Sequence, residues 1–129
     1  GPMKSDAFRA AAESKQIDAA EGLFSEEVVF RSPVFFKPYQ GIDVLRFILS
    51  NVIEIFDEFR YVSQVETGEV AVLMFEARVG ELEVQGVDIL KFGASGLIDE
   101  MTVMVRPMNG LQALGTEMKR RFDELGAAN

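Results

Sequence analysis

The sequence of 129 residues contains no cysteine and no histidine. Without cysteine, the chain cannot form a disulfide, a thiolate nucleophile or a cysteine metal site. Without histidine, it has no Ser-His-Asp triad, no imidazole metal ligand and no side chain that ordinarily shuttles protons near neutral pH. Any catalysis must therefore use Asp, Glu, Tyr, Lys, Arg or Ser, and we expect neither a metal nor a cofactor.

Basic side chains are scarce as well, since 13 Lys and Arg stand against 21 Asp and Glu, a formal charge of −8. Nucleic acids and anionic membranes are bound by clusters of Lys and Arg, so we expect neither as a partner. The apolar runs are short and interrupted by charges, which argues against a transmembrane span. No signal-peptide pattern follows Met3, so a cytoplasmic location is expected. Gly1-Pro2 is typical of a scar left by cloning.

The length and the 48% apolar content are typical of one globular domain, which we predict over residues 3–129. Ser5 is placed to cap a first helix, and a short strand is predicted at residues 28–30. Two prolines and a glycine indicate a loop at 35–41, and apolar residues at helical spacing predict a long helix over 42–57.

In the second half of the chain, the residue pattern is typical of the strands of a sheet. Tight turns and a hairpin loop at 93–96 separate four predicted strands, over residues 59–66, 69–79, 82–92 and 97–106. Pro107 ends the last strand, and an amphipathic helix follows it. The sequence leaves open whether this helix caps the mouth of a pocket or packs along the sheet. Helices followed by hairpin-linked strands predict an α+β fold with an antiparallel sheet.

Asp88 is the first candidate for chemistry, because it interrupts an apolar strand where an unpaired carboxylate is costly. Strand alternation places it on one face with Leu90. A tight hairpin would set Asp88 opposite Met101 and would bring Val103 to the same face, with Leu97 and Asp99 also inward, although a bulge would reverse part of this register. The plainer alternative is a buried Asp bonded to the backbone or to a neighbouring strand.

The chain also has 11 Phe and 6 Met. Such side chains suit the lining of an apolar ligand pocket, and they equally suit a filled core.

Six short segments have a familiar order and spacing. They are IDAAEGLF at 17–24, VVF at 28–30, SPV at 32–34, YQG at 39–41, QGVDILKFGASGLI at 85–98 and VRPM at 105–108. In these segments the chain resembles the nuclear transport factor 2-like superfamily, in its SnoaL-like and ketosteroid-isomerase-like branch. The resemblance implies a cystatin-like cone, in which a strongly curved, largely antiparallel sheet packs against N-terminal helices, with a C-terminal helix. It also implies a deep apolar pocket and a homodimer formed through the outer sheet face.

The resemblance places Asp88 where ketosteroid isomerases hold a protonated Asp that donates a hydrogen bond to an oxyanion; this enzyme is the standard example of a carboxylic acid kept neutral by an apolar site. Two other positions depart from the isomerase pattern. Ser32 stands where the family keeps its general base, and Phe8 stands nearest to its first-helix tyrosine. Serine without a partner base cannot shuttle a proton at neutral pH. Tyr39 is a candidate for the pocket mouth, and Tyr61 is interpreted as core or dimer surface.

Three functions therefore stay open. The first is a pocket protein that binds an apolar or carbonyl-bearing small molecule through Asp88. The second is an enzyme of polyketide cyclase, isomerase or dehydratase type that uses Asp88 as its acid. The third is a non-catalytic dimeric accessory or interaction module. For a ligand site we predict Asp88 together with six lining residues: Phe8, Ser32, Tyr39, Leu90, Met101 and Val103.

Overall fold

The computed structural model describes residues 2–128. Three α-helices, one 3-10 helix and six strands follow in the order α1 (Asp6–Glu13), 3-10 helix (Ile17–Leu23), β1 (Phe24–Arg31), β2 (Tyr39–Gln40), α2 (Ile42–Ile55), β3 (Asp57–Thr67), β4 (Val70–Val79), β5 (Leu82–Phe92), β6 (Ile98–Arg106) and α3 (Met108–Ala128). This is the predicted α+β fold with its C-terminal helix.

The six strands form one open sheet in the order β2-β1-β6-β5-β4-β3. Strands β3 to β6 are joined by antiparallel pairing, as their hairpin spacing predicted, whereas β1 pairs with β6 in parallel. The inner face of the sheet packs against the helices as one core. Leu45 and Ile48 contribute the buried face of α2 to it, because they recur at helical spacing.

The predicted loop at 35–41 was wrong at its end, because Tyr39 and Gln40 form a two-residue strand that pairs with Phe30 and Val29 of β1. Ser5 is at the N-cap of α1, but its hydroxyl makes no capping hydrogen bond. It donates instead to Oε1 of Glu66 at 2.9 Å. A buried serine whose neighbour is a carboxylate on a strand satisfies that stronger acceptor first.

The predicted register of the β5–β6 hairpin was also wrong, although its inner face was largely right. Asp88 lies opposite Val103, and Leu90 lies opposite Met101. A shift by two residues keeps each side chain on its face, because the strand period is two. A bulge between Lys91 and Phe92 then sets Phe92 opposite Ile98. Because of this extra residue, Ile98 is buried where Leu97 and Asp99 were expected, and Asp99 is exposed.

Within residues 2–128, no helix is long and apolar enough to cross a membrane.

Candidate functional site

A cavity of about 200 Å³ lies between the inner face of the sheet, the three α-helices and the loop at residues 32–38. Its walls are made mostly of apolar side chains, which come from every helix and from four of the strands. Among its lining residues, five carry polar side chains: Ser32, Tyr39, Tyr61, Asp88 and Lys119. Because a single water needs about 10–15 Å³, the cavity of about 200 Å³ has room for a ligand of roughly 13 to 20 non-hydrogen atoms.

Asp88 and Tyr61 form a buried pair in the wall of this cavity. The Tyr61 hydroxyl donates to Oδ2 of Asp88 at 2.5 Å, and each residue is 5% exposed. Asp88 is on β5 and Tyr61 is on β3, so the tyrosine reaches across the intervening strand β4. The hydrogen bond therefore ties together two strands that do not pair with each other.

The ring of Tyr61 is fixed by aromatic neighbours. It meets Phe59 edge-to-face at a centroid distance of 4.9 Å and Phe75 at 6.4 Å. Gly86, on the strand of Asp88, leaves the room that the Phe75 ring occupies. A Cβ atom added at Gly86 would lie 2.3 Å from Cζ of Phe75. The missing side chain at Gly86 thus allows Phe75 to pack where it supports Tyr61.

Burial controls the protonation of this pair. It raises the pKa of Asp88 from 3.8 to about 7, and the hydrogen bond from Tyr61, which favours the charged form, limits the rise. Burial and the negative charge of Asp88 both raise the pKa of Tyr61 well above its usual value of 10. Near neutral pH, Asp88 therefore exists both as a carboxylic acid and as a carboxylate, while Tyr61 remains a phenol.

The two protonation states offer a ligand different chemistry. When Asp88 is a carboxylic acid, the pair holds two O–H groups, and one of them is free to donate to a carbonyl oxygen of a ligand. When Asp88 is a carboxylate, it accepts the hydrogen bond from Tyr61 and no longer donates. The site is thus a hydrogen-bond donor for carbonyl groups below about pH 7 and an acceptor above it.

The structure brings five of the six predicted lining residues together with Asp88. Phe8, Ser32, Tyr39, Met101 and Val103 all line the cavity. Leu90 is not among the residues that line the cavity. It shares the inner face with Asp88 but lies two residues nearer the hairpin, opposite Ala71 and Met101, where the core is closed and Leu90 is fully buried.

Ser32 lies in the cavity wall, but its hydroxyl already has a local role. Its Oγ accepts hydrogen bonds from the backbone N–H of Val34 and of Phe35, at 3.1 and 3.0 Å. This is the turn geometry that serine commonly forms with residues two and three positions further on. Ser32 therefore holds the loop that forms one rim of the cavity.

Helix α3 forms part of the cavity wall, with Leu114, Met118 and Phe122 among its lining residues. Phe122 stacks on Tyr39 with ring centroids 6.2 Å apart. Arg121 holds the helix from its side by donating to Asn51 at 3.0 Å and pairing with Glu54 at 2.9 Å. The sequence left open whether this helix caps the pocket mouth or packs along the sheet. In the structure it lines the cavity and also contacts β4, β5 and β6.

Tyr61 is the residue whose role the sequence did not indicate. It belongs to the core, as expected, but it also lines the cavity and holds Asp88. The one signal in the sequence was that Tyr61, like Asp88, lies in a predicted strand in which successive side chains alternate between the two faces. The pairing itself depends on the strand order β5-β4-β3, which alternation does not specify.

Asp88 is the one acidic side chain among the cavity-lining residues in the described part of the chain. Across residues 2–128, no group of acidic side chains is arranged to hold a metal ion.

The sequence and the fold are both similar to known proteins. The model of the SnoaL-like domain family matches residues 6–101. A steroid delta-isomerase from Pseudomonas aeruginosa is 40% identical, with a TM-score of 0.90, over 96% of this chain and 92% of that one. A protein with a cystatin-like fold from Silicibacter pomeroyi, described as uncharacterized, is 30% identical, with a TM-score of 0.88, over 92% and 84%.

A putative ketosteroid isomerase from Kribbella flavida has the same fold at 14% identity, with a TM-score of 0.67 over 81% of this chain and 76% of that one. No curated protein matches the sequence.

The raised pKa of Asp88 predicts a stability that depends on pH. The folded protein keeps the Asp88 proton up to about pH 7, whereas the unfolded chain releases it near 3.8. The folded state therefore binds more protons in this window, and its stability falls as pH rises, by on the order of 4 kcal/mol. Asp88→Asn cannot titrate. The free energy of unfolding of the wild type, relative to this variant, should fall by that amount between about pH 4 and pH 8.

Urea denaturation at several pH values measures this difference, since all other groups titrate alike in both proteins. Asp18→Asn, which changes an exposed carboxyl on the 3-10 helix, is the matched control. A flat difference for Asp88→Asn would contradict the prediction, and so would an equal slope in the control.

Proposed function

The chain belongs to the SnoaL-like domain family of the nuclear transport factor 2-like superfamily, and from this premise we propose that it binds a neutral, largely apolar small molecule that carries a carbonyl group. The Asp88–Tyr61 pair holds the carbonyl oxygen by hydrogen bonding. The observation that carries the proposal is this buried, hydrogen-bonded polar pair in a wall that is mostly apolar over the described residues 2–128.

The apolar wall and the pair have separate roles in binding. Burial of a ligand's apolar surface supplies the free energy, at roughly 25 cal/mol for each Å² removed from water. A few convergent polar groups then fix its orientation. Asp88 and Tyr61 are the polar side chains that bond to each other in the cavity wall, while Lys119 is exposed and pairs with Asp123 at 2.7 Å.

Charge favours a neutral ligand. An anionic group placed beside Asp88 would be repelled by its carboxylate form, and the protein as a whole carries a net charge of −8. A ketone or another carbonyl compound has no charge to desolvate, and its oxygen accepts the hydrogen bond that protonated Asp88 donates.

Binding should depend on pH through Asp88 alone. We expect the wild type to bind a polycyclic ketone below pH 7 and to lose affinity as pH rises through 7, because the carboxylate that forms repels the carbonyl oxygen. Asp88→Asn keeps an N–H donor of the same shape and cannot titrate, so its affinity should be independent of pH. Asp88→Leu removes the donor and should weaken binding by roughly 10- to 100-fold.

Isothermal titration calorimetry tests this expectation, after a thermal-shift screen of neutral steroids, polycyclic ketones, phenols and fatty acids. Tyr39→Phe is the matched control for Tyr61→Phe, since both tyrosines line the cavity and only Tyr61 contacts Asp88. Only Tyr61→Phe should alter the pH at which affinity is lost. Binding of fatty acids alone, or of no compound in the panel, would contradict the proposed ligand class.

An isomerase-type activity is the second candidate, favoured by the 40% identity to the steroid delta-isomerase. A protonated Asp88 can stabilise the oxyanion of an enolate. Moving a proton from carbon to carbon also needs a base, and Asp88 is the only acidic residue lining the cavity within residues 2–128. The hydroxyl of Ser32 is already bonded to the backbone of Val34 and Phe35. We therefore propose that the wild type binds and polarises a carbonyl compound without isomerising it.

Installing a carboxylate at Ser32 tests this reading. Ser32→Asp retains an oxygen that can accept from the same backbone N–H groups, and it adds a base. Against a 5-ene-3-ketosteroid, followed by the ultraviolet absorbance of the conjugated product, we expect this variant to exceed the wild type by roughly 10²- to 10⁴-fold. Ser32→Asn, which has the same shape without the charge, should gain nothing. Wild-type turnover that Asp88→Leu abolishes would replace the binding proposal with the isomerase.

We further propose that the protein is a homodimer that associates through the outer face of the sheet. Apolar side chains form two neighbouring rows there, in register across the strands. One row holds Val65, Val72 and Ile89, and the other holds Met74, Val87 and Met104. Three of them, including Met104 at 55%, are exposed. A contiguous apolar patch of this kind marks an interaction surface, and the same patch would serve the accessory-module alternative.

A charge in this patch should separate the two copies. We expect the wild type to sediment at twice the chain mass of 14.3 kDa and Met104→Lys to sediment as a monomer. Phe36→Lys is the control, because Phe36 is an exposed apolar residue of the loop at the cavity rim and is not on the sheet. Analytical ultracentrifugation decides the outcome. A monomeric wild type, or a dimer that Met104→Lys leaves intact, would contradict this interface.

A further inference from the structure

The strand that carries Tyr61 is at the edge of the sheet. β3 pairs with β4 on one side only, so the backbone groups on its other side have no strand partner. Its pairing with β4 is also irregular, with a register shift between Tyr61 and Ser63. A bulged edge strand holds the backbone of Tyr61 only weakly, although the Tyr61 hydroxyl must reach Asp88 two strands away.

Helix α1 supplies that support through two charged side chains. The backbone N–H of Tyr61 donates to Oε2 of Glu13 at 3.1 Å, and Nη2 of Arg9 donates to the backbone carbonyl of Tyr61 at 3.3 Å. Both main-chain polar groups of Tyr61 are thus held by one helix. These two contacts resemble the pair of hydrogen bonds that a neighbouring strand would make with one residue.

Arg9 and Glu13 also hold each other. They are one helical turn apart, and Nε of Arg9 lies 3.2 Å from Oε1 of Glu13. The guanidinium donates to Gln64 of β3 at 3.0 Å and lies 5.9 Å from the centre of the Tyr61 ring. Each of the two side chains therefore has more than one partner, which restricts both of them to a single arrangement against the strand.

This arrangement is more than an ordinary surface ion pair. Exposed pairs of this spacing add little to stability. Two others of this spacing on α3, Lys119 with Asp123 and Arg120 with Glu124, make contacts that stay within their own helix. The Arg9–Glu13 pair instead ends on the backbone of the residue that holds Asp88. The Arg9–Glu13 pair can therefore determine the position of Tyr61.

Resting on the proposed role of the Asp88–Tyr61 pair, we propose that Arg9 and Glu13 are positioning residues, which hold the backbone of Tyr61 so that its hydroxyl reaches Asp88. They have no contact with the cavity and are assigned no chemistry. They affect ligand binding by setting the distance between the hydroxyl oxygen of Tyr61 and the carboxyl oxygen of Asp88.

The titration of Asp88 reports on this distance without any ligand. Carbon-13 NMR of aspartate carboxyl groups, with Asp88→Asn to identify the signal, gives the pKa of Asp88 in each variant. Tyr61→Phe removes the hydrogen bond that favours the carboxylate, so the pKa of Asp88 should rise by roughly 1–2. Glu13→Ala should shift it in the same direction. In the Tyr61→Phe background, Glu13→Ala should cause no further shift, because no hydroxyl remains to be positioned.

Two variants separate positioning from a general loss of stability. Glu13→Gln has an amide oxygen that can still accept from the Tyr61 N–H, so the pKa of Asp88 in this variant should stay close to the wild-type value. This variant also tests the proposal if Glu13→Ala does not fold. Lys15→Ala is the matched control, because Lys15 follows α1 and donates to a backbone carbonyl, that of Phe56 at 3.1 Å, away from Tyr61. It should leave the titration of Asp88 unchanged.

The proposal is overturned if Glu13→Ala leaves the Asp88 titration as in the wild type, or if it shifts that titration equally with and without the Tyr61 hydroxyl. If no ketone binds, the proposed function is contradicted. The titration of Asp88 still tests the positioning role of Arg9 and Glu13, because it is measured on the protein without a ligand.

Discussion

The rest of the site depends on a carboxyl group that is held on the apolar inner face of a sheet. A charged Asp88 in this position would lose most of its hydration, so the fold favours the neutral acid and raises the pKa of Asp88 to about 7. Tyr61 opposes this by giving the carboxylate one strong hydrogen bond. The balance between desolvation and this bond leaves both protonation states accessible near neutral pH.

Placing the two groups of the pair on non-adjacent strands has structural consequences. Strand β4 lies between them, and its residue Phe75 fills the space that a side chain at Gly86 would occupy. The tyrosine must also be carried by an edge strand, whose outer side is free for helix α1 to hold. The polar pair is thus supported by α1 and by Phe75 of β4, which are far apart in the sequence.

The sequence predicted those features that follow from local periodicity. Alternation placed Asp88 on the inner face, and an error of two residues in register left that face unchanged. Beyond the bulge at Lys91–Phe92 the same reasoning failed for Leu97 and Asp99, because a bulge reverses the phase without a distinctive residue pattern. The parallel pairing of β1 with β6 and the bond between Tyr61 and Asp88 were not predictable either. Both join segments far apart in the chain, and no turn links them.

The residues around the pair limit what the cavity can do with a bound carbonyl compound. Protonated Asp88 can donate to an oxygen, but the same group cannot at once stabilise an oxyanion and remove a proton from carbon. Ser32 provides no second acid or base, since its hydroxyl holds the rim loop, and Phe8 adds only apolar surface. For this reason we propose that the cavity recognises and polarises a carbonyl compound rather than isomerising it. On this fold, then, the presence of a carboxylate before the proline at the end of β1 is what would divide a carbonyl-binding protein from an isomerase.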